Sequence, residues 1–234
     1  MNTVLIAIWL AAAASTLGYL IARRRFGRQL AAVRHQATHD PLTGIANRTG
    51  LYDQADTLIA TAHQIGCPVA VAVVDLVGFK AVNDTHGHQA GDHILTVIAD
   101  RLTALAGPAG LAARLGGDEF ALITAPGATE PATEPAAWLT DAHTYLTAPV
   151  TYHGRQLAVG ATIGAFLGNH RQTAKVWLHQ ADLAMYQARA ERHTTCLYRD
   201  PRRVHVPVRP ANRVREQARP TSRLATSPNR RTAA

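Results

Sequence analysis

The chain has 234 residues, a formal net charge of +8, and 47% hydrophobic residues. This length fits one ordinary domain with extra segments or two small ones, and the composition excludes a wholly disordered or collagen-like protein. Only two cysteines are present, Cys67 and Cys196, without partners at metal-ligand spacing, which disfavours a disulfide-stapled secreted scaffold and a zinc ribbon. The sequence pI of about 10.2 indicates nucleic-acid or membrane-surface binding only if the basic residues lie in the folded part.

The first predicted element is a transmembrane helix within residues 1–22. Residues 3–22 carry no charge, and at about 1.5 Å per residue they match the roughly 30 Å hydrocarbon core of a bilayer. A cleaved signal peptide is disfavoured because no basic residue precedes the apolar run, and a buried core helix of this kind is unusual in so small a protein. Arginines follow directly, so the positive-inside rule predicts an external N-terminus and a cytoplasmic remainder, anchored by a single pass.

Residues 23–38 are predicted to form a juxtamembrane linker helix. Phe26, Leu30 and Val33 recur at helical spacing of four and three, which suits either continuation of the first helix or pairing with a second copy. At the other end, residues 199–234 hold five prolines, ten arginines and two acids, and we predict a disordered basic tail. The tail either contacts anionic lipid or nucleic acid, or is solvated without a specific partner.

The segment between, residues 39–198, alternates strand-like and helix-like stretches. Residues 69–74 form an unbroken apolar run, rich in β-branched residues, that predicts a central strand, and residues 88–105 carry one apolar helical face. Gly116 and Gly117 separate two short strand candidates, 111–115 and 119–124, as in a hairpin. Further predicted elements are a helix at 135–146, a strand at 156–166, a helix with its apolar face at Trp177, Ala181, Ala184, Met185 and Ala188, and an edge strand at 194–198. The order predicts an α/β (α+β) fold in which helices pack a mixed central sheet with a ferredoxin-like βαββαβ core.

Three carboxylates stand at the ends of predicted strands. Asp75 closes the central strand, and Asp118 and Glu119 follow the Gly-Gly turn, so neighbouring strands would deliver them to one rim. Adjacent strand residues point to opposite faces, so Asp118 and Glu119 are expected to differ in role. Hard divalent ions take one or two carboxylates plus phosphate oxygens, which indicates phosphate chemistry. The alternative is that these carboxylates only cap turns.

Other catalytic signatures are absent from the sequence. It has no GxxxxGK[ST] phosphate loop, no HExxH and no GxSxG motif. His86, His88 and His93 cluster without the spacing of a zinc site, so we interpret them as surface or hydrogen-bonding histidines.

Several motifs follow one another in order along this segment. Residues 114–120 read RLGGDEF, residues 39–48 read HDPLTGIANR, and residues 75–84 and 87–92 read DLVGFKAVND and GHQAGD. The first contains the GGDEF signature, and the others resemble the DxLTGLxNR, DxDxFKxxND and GHxxGD elements of the GGDEF diguanylate cyclases, bacterial enzymes that join two GTP molecules into cyclic di-GMP. Residues 162–164 and 181–189 resemble the later SIG and ADxALYxAK segments, so the resemblance covers about residues 38–198.

The resemblance implies roles for particular residues. Asp75, Asp118 and the Leu76 carbonyl would bind Mg²⁺ or Mn²⁺, and Glu119 would assist deprotonation of the attacking ribose 3′-hydroxyl. A carboxylate can accept hydrogen bonds from guanine but finds no such donor pair on adenine, which suits Asp92 beside Asn83. The substrate contacts implied are Asn83 and Asp92 to guanine, Gly78, Phe79, Lys80 and Arg189 to the β and γ phosphates, and Gly116 and Gly117 for close approach of the backbone.

The sequence departs from the family pattern in three places. The second acid of DxDxFK is Val77, which is expected to weaken metal binding without excluding it. The charged positions of the inhibitory RxxD motif fall on Gly107 and Gly110, so product feedback there is expected to be absent. The KxxGRN ending is altered, leaving Arg192 or His193 as substitutes for one phosphate contact.

These features together predict a membrane-anchored diguanylate cyclase with the catalytic domain at 39–198. Each site would hold one GTP, so the reaction requires a homodimer. The alternatives are a catalytically degenerate GGDEF module that binds GTP or a protein partner, and a basic tether whose tail binds nucleic acid. The third leaves the motifs unexplained. The folded segment has nine basic and fourteen acidic residues, a net charge of −5, so the high pI belongs to the ends and no specific nucleic-acid partner is expected.

Overall fold

A computed structural model describes residues 2–124, 135–168 and 172–198. The side chains of residues 4–8, 11–14 and Pro135 lie outside the description, as does the predicted basic tail at 199–234. The helices are α1 (Asn2–Thr38), α2 (Arg48–Gln64), α3 (Phe79–His86), α4 (His88–Ala106), α5 (Pro135–Leu146) and α6 (Ala174–Ala190). The strands are β1 (Ala46–Asn47), β2 (Val69–Val77), β3 (Leu111–Gly116), β4 (Glu119–Thr124), β5 (Val150–Tyr152), β6 (Arg155–Leu157), β7 (Gly160–Gly168) and β8 (Thr195–Tyr198).

A six-stranded mixed sheet in the order β1-β3-β4-β2-β7-β8 forms the centre of the fold. The four inner strands are antiparallel and, with the helices between them, have the ferredoxin-like βαββαβ connectivity, while β1 and β8 add parallel edges. The expected mixed sheet packed by helices is therefore confirmed. The apolar run in β2 is central because its residues are buried on both faces up to Leu76.

Two apolar cores lie on opposite faces of the sheet. Alternate β2 residues, Ala72, Val74 and Leu76, pack with α3, α4 and α5 on one face. Val69, Val71 and Val73 pack with α2 and α6 on the other. Since side chains alternate along a strand, Asp75 belongs to the α2/α6 face, and this assignment positions the site described below.

The first helix, α1, does not agree with the predicted location in the membrane. Within the described parts of the chain, no helix is long and apolar enough to cross a membrane. The side chains of α1 that are described without interruption are those of residues 15–38, and five arginines lie among them from Arg23 on. The predicted single-pass location in the cytoplasmic membrane is contradicted by this finding.

Three other features differ from the sequence-based expectation. The strand predicted at 156–166 is two strands, because Arg155–Leu157 turns back on β5 to form a separate hairpin through His153 and Gly154, both at positive φ. Helix α2 was not predicted, although Leu51, Ala55, Ile59 and Ala62 repeat at helical spacing. The eight-residue helix α3 was also missed, since it is too short to show a period between Gly78 and Gly87.

The junction between α1 and α2 is tightly packed. Asn47 caps α2 by accepting a hydrogen bond from the Gly50 amide at 2.9 Å. Its side-chain amide donates to the Ala37 carbonyl at 3.0 Å and to the His39 carbonyl at 3.3 Å, at the end of α1. A Cβ atom on Gly50 would lie 2.0 Å from the Thr38 carbonyl oxygen, so only glycine permits this contact.

Candidate active site

The strand register brings two of the predicted catalytic carboxylates together. Asp75 on β2 is directly opposite Glu119, the first residue of β4. Side chains of such cross-strand partners project from the same face with Cβ atoms about 5 Å apart. Asp75 is only 5% exposed, whereas Glu119 is half-buried and borders a cavity of about 430 Å³ between α2 and α6. The sequence-based condition that the hairpin pairs beside the Asp75 strand is therefore met.

Asp75 forms an ion pair with Arg189 from the last turn of α6. Burial raises the pKa of the Asp75 carboxyl above its ordinary value. The positive charge of Arg189 and its hydrogen bond oppose this pKa increase, and the negative charge of nearby Asp118 adds to it. Arg189 was predicted to bind phosphate, but in this structure it holds the carboxylate predicted to bind metal.

The Gly-Gly turn carries Asp118 to the same strand end. Gly116 and Gly117 have φ angles of 146° and 54°, which side chains of L-residues rarely adopt. The Leu76 amide donates to the Asp118 carbonyl at 3.2 Å, so the backbones of the two predicted metal-binding segments touch. The glycines leave the outer side of the turn open, since a Cβ at either position would meet nothing within 4 Å.

Arg114 holds this turn in place. Its Nε and Nη2 atoms donate to the Gly117 carbonyl at 2.9 and 2.8 Å, and Nη1 donates to the Asp40 carboxylate at 3.1 Å. Arg48, at the start of α2, donates to the Leu115 carbonyl at 3.3 Å. Two arginines thus fix carbonyl groups of the turn that positions Asp118.

Asp40 is a functional candidate that sequence reasoning missed. It accepts hydrogen bonds from the Thr43 amide at 2.9 Å and the Thr43 hydroxyl at 2.6 Å as well as from Arg114. Burial opposes ionisation of Asp40, but these hydrogen bonds and the Arg114 charge outweigh it and lower the pKa of the carboxyl. The available sequence signal was an acid in the first motif, residues 39–48, and an arginine two residues before the Gly-Gly pair.

The start of α3 lies directly after β2, next to Asp75. Gly78 has a φ angle of 83° and precedes the helix without a side-chain cap, so the first amides of α3 lack intrahelical partners. Such amides are suited to phosphate oxygens, and exposed Lys80 adds a positive charge. Phe79 is half-buried and packs against the core, which anchors this turn.

The predicted guanine-binding residues occupy adjacent positions. Asn83 on α3 lies against Gly91 on α4, where a Cβ atom would be 1.9 Å from the Asn83 Oδ1 atom. The next residue, Asp92, is exposed. The missing side chain at Gly91 thus lets the Asn83 amide approach α4 at the residue directly before Asp92.

The residues at the strand end fit a hard divalent cation. Two carboxylates, Asp75 and Asp118, and the Leu76 carbonyl are oxygen donors of the kind that Mg²⁺ prefers, with substrate phosphates completing its six ligands. Among the described residues, no group of three His, Cys, Asp or Glu side chains is close enough to hold a metal alone. The donor set therefore suits an ion that binds together with a nucleotide.

The structure explains some of the positions at which the sequence departs from the family pattern. Val77 is 49% exposed at the end of β2. Gly107 ends α4 at a φ angle of 68°, and a Cβ on Gly110 would lie 2.2 Å from the Ala106 carbonyl, so both positions require glycine for the turn. His193 pairs with Glu191 at 3.3 Å, while Arg192 is exposed with a φ angle of 59°.

Comparisons with known proteins agree with this geometry. A family model described as diguanylate cyclase, GGDEF domain, matches residues 37–195, more than half of the chain. Diguanylate cyclase TpbB of Pseudomonas aeruginosa is 36% identical over 178 residues, which cover 74% of this chain and 40% of TpbB. An uncharacterized protein of Streptomyces griseus is 38% identical over 167 residues, covering 70% of this chain and 67% of that protein. An uncharacterized signaling protein of Caulobacter vibrioides is 39% identical over 160 residues, which cover 67% of this chain and only 19% of that protein.

Solved structures show the same fold. The coiled coil and GGDEF domain of DgcB from Caulobacter crescentus, in complex with c-di-GMP, matches with a TM-score of 0.66 and 28% identity over 79% of this chain and 97% of that chain. The GGDEF domain of TpbB matches with a TM-score of 0.57 and 32% identity over 67% of this chain and 98% of that chain. This protein therefore belongs to the GGDEF-domain family of diguanylate cyclases.

Proposed function

We propose that this protein is a diguanylate cyclase that condenses two molecules of GTP into cyclic di-GMP and releases two pyrophosphates. The observation that carries the proposal is the register of β2 and β4, which sets Asp75 opposite Glu119 at the strand end where the turn delivers Asp118. Curated relatives that resemble this chain over its folded part, among them TpbB, are diguanylate cyclases by name.

Each residue in this arrangement has a distinct task. Asn83 and Asp92 bind the guanine edge, and the α3 amides at Gly78, Phe79 and Lys80 hold the β and γ phosphates with the Lys80 side chain. Mg²⁺ or Mn²⁺, held by Asp75, Asp118 and the Leu76 carbonyl, would neutralise phosphate charge and acidify the ribose 3′-hydroxyl. Glu119 accepts the proton of that hydroxyl.

The bond changes follow from this placement. The ribose 3′-oxygen of one GTP forms a bond to the α-phosphorus of the other GTP. The bond from that phosphorus to the bridging oxygen of the β-phosphate breaks, and pyrophosphate leaves. The hydroxyl proton passes to the Glu119 carboxylate, and the same step in the facing domain closes the ring.

A homodimer is part of the proposal because one domain offers one set of these residues. Helix α1 exposes Phe26, Leu30 and Val33 on one side, at 69%, 59% and 62% exposure. Apolar side chains at this spacing suit pairing with a second copy. The related DgcB structure contains a coiled coil next to its GGDEF domain. Product inhibition through RxxD is not expected, since Gly107 and Gly110 carry no side chain there.

The test is to incubate the full chain with GTP and Mg²⁺ or Mn²⁺ and to detect cyclic di-GMP by chromatography. We expect product from the wild type and a loss of about 10²–10⁴-fold in rate for Glu119→Gln, which removes the proton acceptor but keeps the size. Glu216→Gln, outside the matched residues 37–195, is the control for the same chemical change.

Equal rates for Glu119→Gln and wild type would show that Glu119 is not the proton acceptor. The second candidate function is a GTP-binding module without activity, which the replacement of an acid by exposed Val77 favours. Absence of product from a folded dimer that still binds GTP would establish that alternative.

A further inference from the structure

The Arg189–Asp75 ion pair joins an exposed cation to a buried anion. The Arg189 side chain is 53% exposed, whereas that of Asp75 is 7% exposed. An unpaired carboxylate at such a position is costly, because burial removes its hydration. Arg189 therefore supplies, in the absence of other ligands, the positive charge that Asp75 requires.

This pair is incompatible with the roles that the proposed function gives its two members. The Arg189 Nη2 atom donates to Oδ2 of Asp75, so a cation bound through this oxygen would meet the guanidinium. While Nη2 is bonded to Asp75, it is not available to a phosphate. The Arg189 guanidinium and a divalent cation are thus competitors for one carboxylate.

The backbone of α6 packs closely on the sheet one turn before Arg189. A Cβ atom on Gly164 of β7 would lie 2.0 Å from the Met185 amide nitrogen and 2.2 Å from the Ala181 carbonyl oxygen, so nothing larger than glycine fits between α6 and β7. This packing opposes a shift of α6, while the Arg189 side chain is 53% exposed and has several rotatable bonds. A change of partner by Arg189 is a side-chain rotation and not a helix movement.

We propose that Arg189 is an exchange residue, which holds Asp75 in the ligand-free protein and transfers to the β and γ phosphates of GTP when the divalent cation takes its place. This inference rests on the proposed function. It implies that the ion alone binds weakly, because it must displace Arg189. The nucleotide helps by offering Arg189 another anion, so that ion and nucleotide raise each other's affinity.

The test measures Mn²⁺ binding to the full chain without nucleotide, from the free Mn²⁺ signal in electron paramagnetic resonance. Arg189→Gln removes the competing charge, so we expect Mn²⁺ alone to bind at least about fivefold more tightly than to wild type, the lower end of ordinary coupling between sites. GTP affinity in the presence of a chelator should fall in the same variant. Arg155→Gln, an exposed arginine on β6, is the matched control and should leave Mn²⁺ affinity unchanged.

Unchanged or weaker Mn²⁺ binding by Arg189→Gln overturns the exchange. Arg189→Lys provides a second comparison if the first variant does not fold. Lysine keeps the positive charge but lacks the planar guanidinium group, so Mn²⁺ should bind more tightly than to wild type, and unchanged or weaker binding overturns the exchange here too. Cyclic di-GMP is not measured in these titrations. A chain that makes no product yet shows tighter Mn²⁺ binding contradicts the proposed function alone, whereas a productive chain without this change contradicts the exchange alone.

Discussion

Gly91 determines where the Asn83 side chain lies. The space that a Cβ would fill is occupied by the Asn83 Oδ1 atom, with the Phe79 ring also close at 3.2 Å. In a helix interior, alanine is favoured over glycine by about 1 kcal/mol, so glycine here reduces the intrinsic stability of α4. In exchange, the Asn83 side chain can lie against α4 at the residue directly before Asp92.

Gly91→Ala should therefore separate stability from nucleotide binding. We expect thermal stability to be retained, since the displaced atom is the end of a flexible side chain, and GTP affinity to fall about tenfold through loss of the Asn83 hydrogen bond. Isothermal titration calorimetry with GTP measures the affinity. Adding Gly91→Ala to Asn83→Ala should produce no further loss, because both act through the same side chain. Full GTP affinity in Gly91→Ala would contradict the assignment of Asn83.

At the scale of elements, the Asp40–Arg114 contact ties the segment before α2 to the β3–β4 hairpin. The pKa of the Asp40 carboxyl is below its ordinary value, because Thr43 and Arg114 stabilise the charged form. Such a carboxylate stabilises the fold above the pKa of the unfolded chain, which is near 3.8, and the contribution is lost as the pH falls through the lower pKa of the folded state.

Asp40→Asn should lower the free energy of unfolding at pH 7 by about 1.5–3 kcal/mol, the usual range for hydrogen bonds to a charged group. The difference in free energy of unfolding between Asp40→Asn and wild type should shrink as the pH falls below 3.8 and through the lower pKa of the folded wild-type carboxyl, because that carboxyl then becomes protonated. Urea denaturation followed by circular dichroism measures it. Asp53→Asn, an exposed carboxylate on α2, is the control. A loss in free energy of unfolding that stays the same at every pH would contradict a stabilising role of the Asp40 charge.

Sequence patterns predicted the elements that depend on local chemistry. The β-branched run, the Gly-Gly pair and the apolar face of α4 placed β2, the β3–β4 hairpin and α4 within a few residues of their observed bounds. The end of β6 was missed because only Ala158 and Val159 separate this three-residue strand from β7, and neither residue indicates a break. Hydrophobic period describes one element at a time, and a three-residue strand is too short to display one.

The contacts that arrange the site could not be predicted this way. Asp40 and Arg114 are 74 residues apart, and Asp75 and Arg189 are 114 residues apart. Motif resemblance named the residues expected to contact substrate, including Arg189, but it contained no information on the contacts that these side chains make with one another. Pairing across such separations depends on the sheet order and on how α6 lies on β7, which are properties of the packed fold.

At the scale of the whole molecule, activity should depend on association through α1. Leu30→Glu places a charge among the exposed apolar side chains of α1. Burial of one leucine contributes about 1.5–3 kcal/mol, and a symmetric dimer would bury two. The substitution should therefore raise the dissociation constant of the dimer at least about a hundredfold. Sedimentation velocity measures the dimer, and the initial rate of cyclic di-GMP formation should fall with it. Ala31→Glu, on another side of α1, is the matched control.

Full activity from a demonstrably monomeric Leu30→Glu protein would contradict the requirement for a dimer. The same holds for a truncated chain of residues 38–198 that is active as a monomer. Restored activity after fusion of Leu30→Glu to an unrelated dimeric coiled coil would show that α1 contributes proximity and not a residue of the site.

The close packing between α1 and α2 at Gly50 limits how a movement of α1 can affect the rest of the protein. With the Thr38 carbonyl packed against Gly50 and Asn47 bonded to both sides, the end of α1 has no slack relative to α2. A rotation or tilt of α1 is therefore expected to turn the attached GGDEF domain as a unit. If two copies act together as proposed, such a movement would change how the two GTP-bound sites are oriented toward each other and leave each site unaltered.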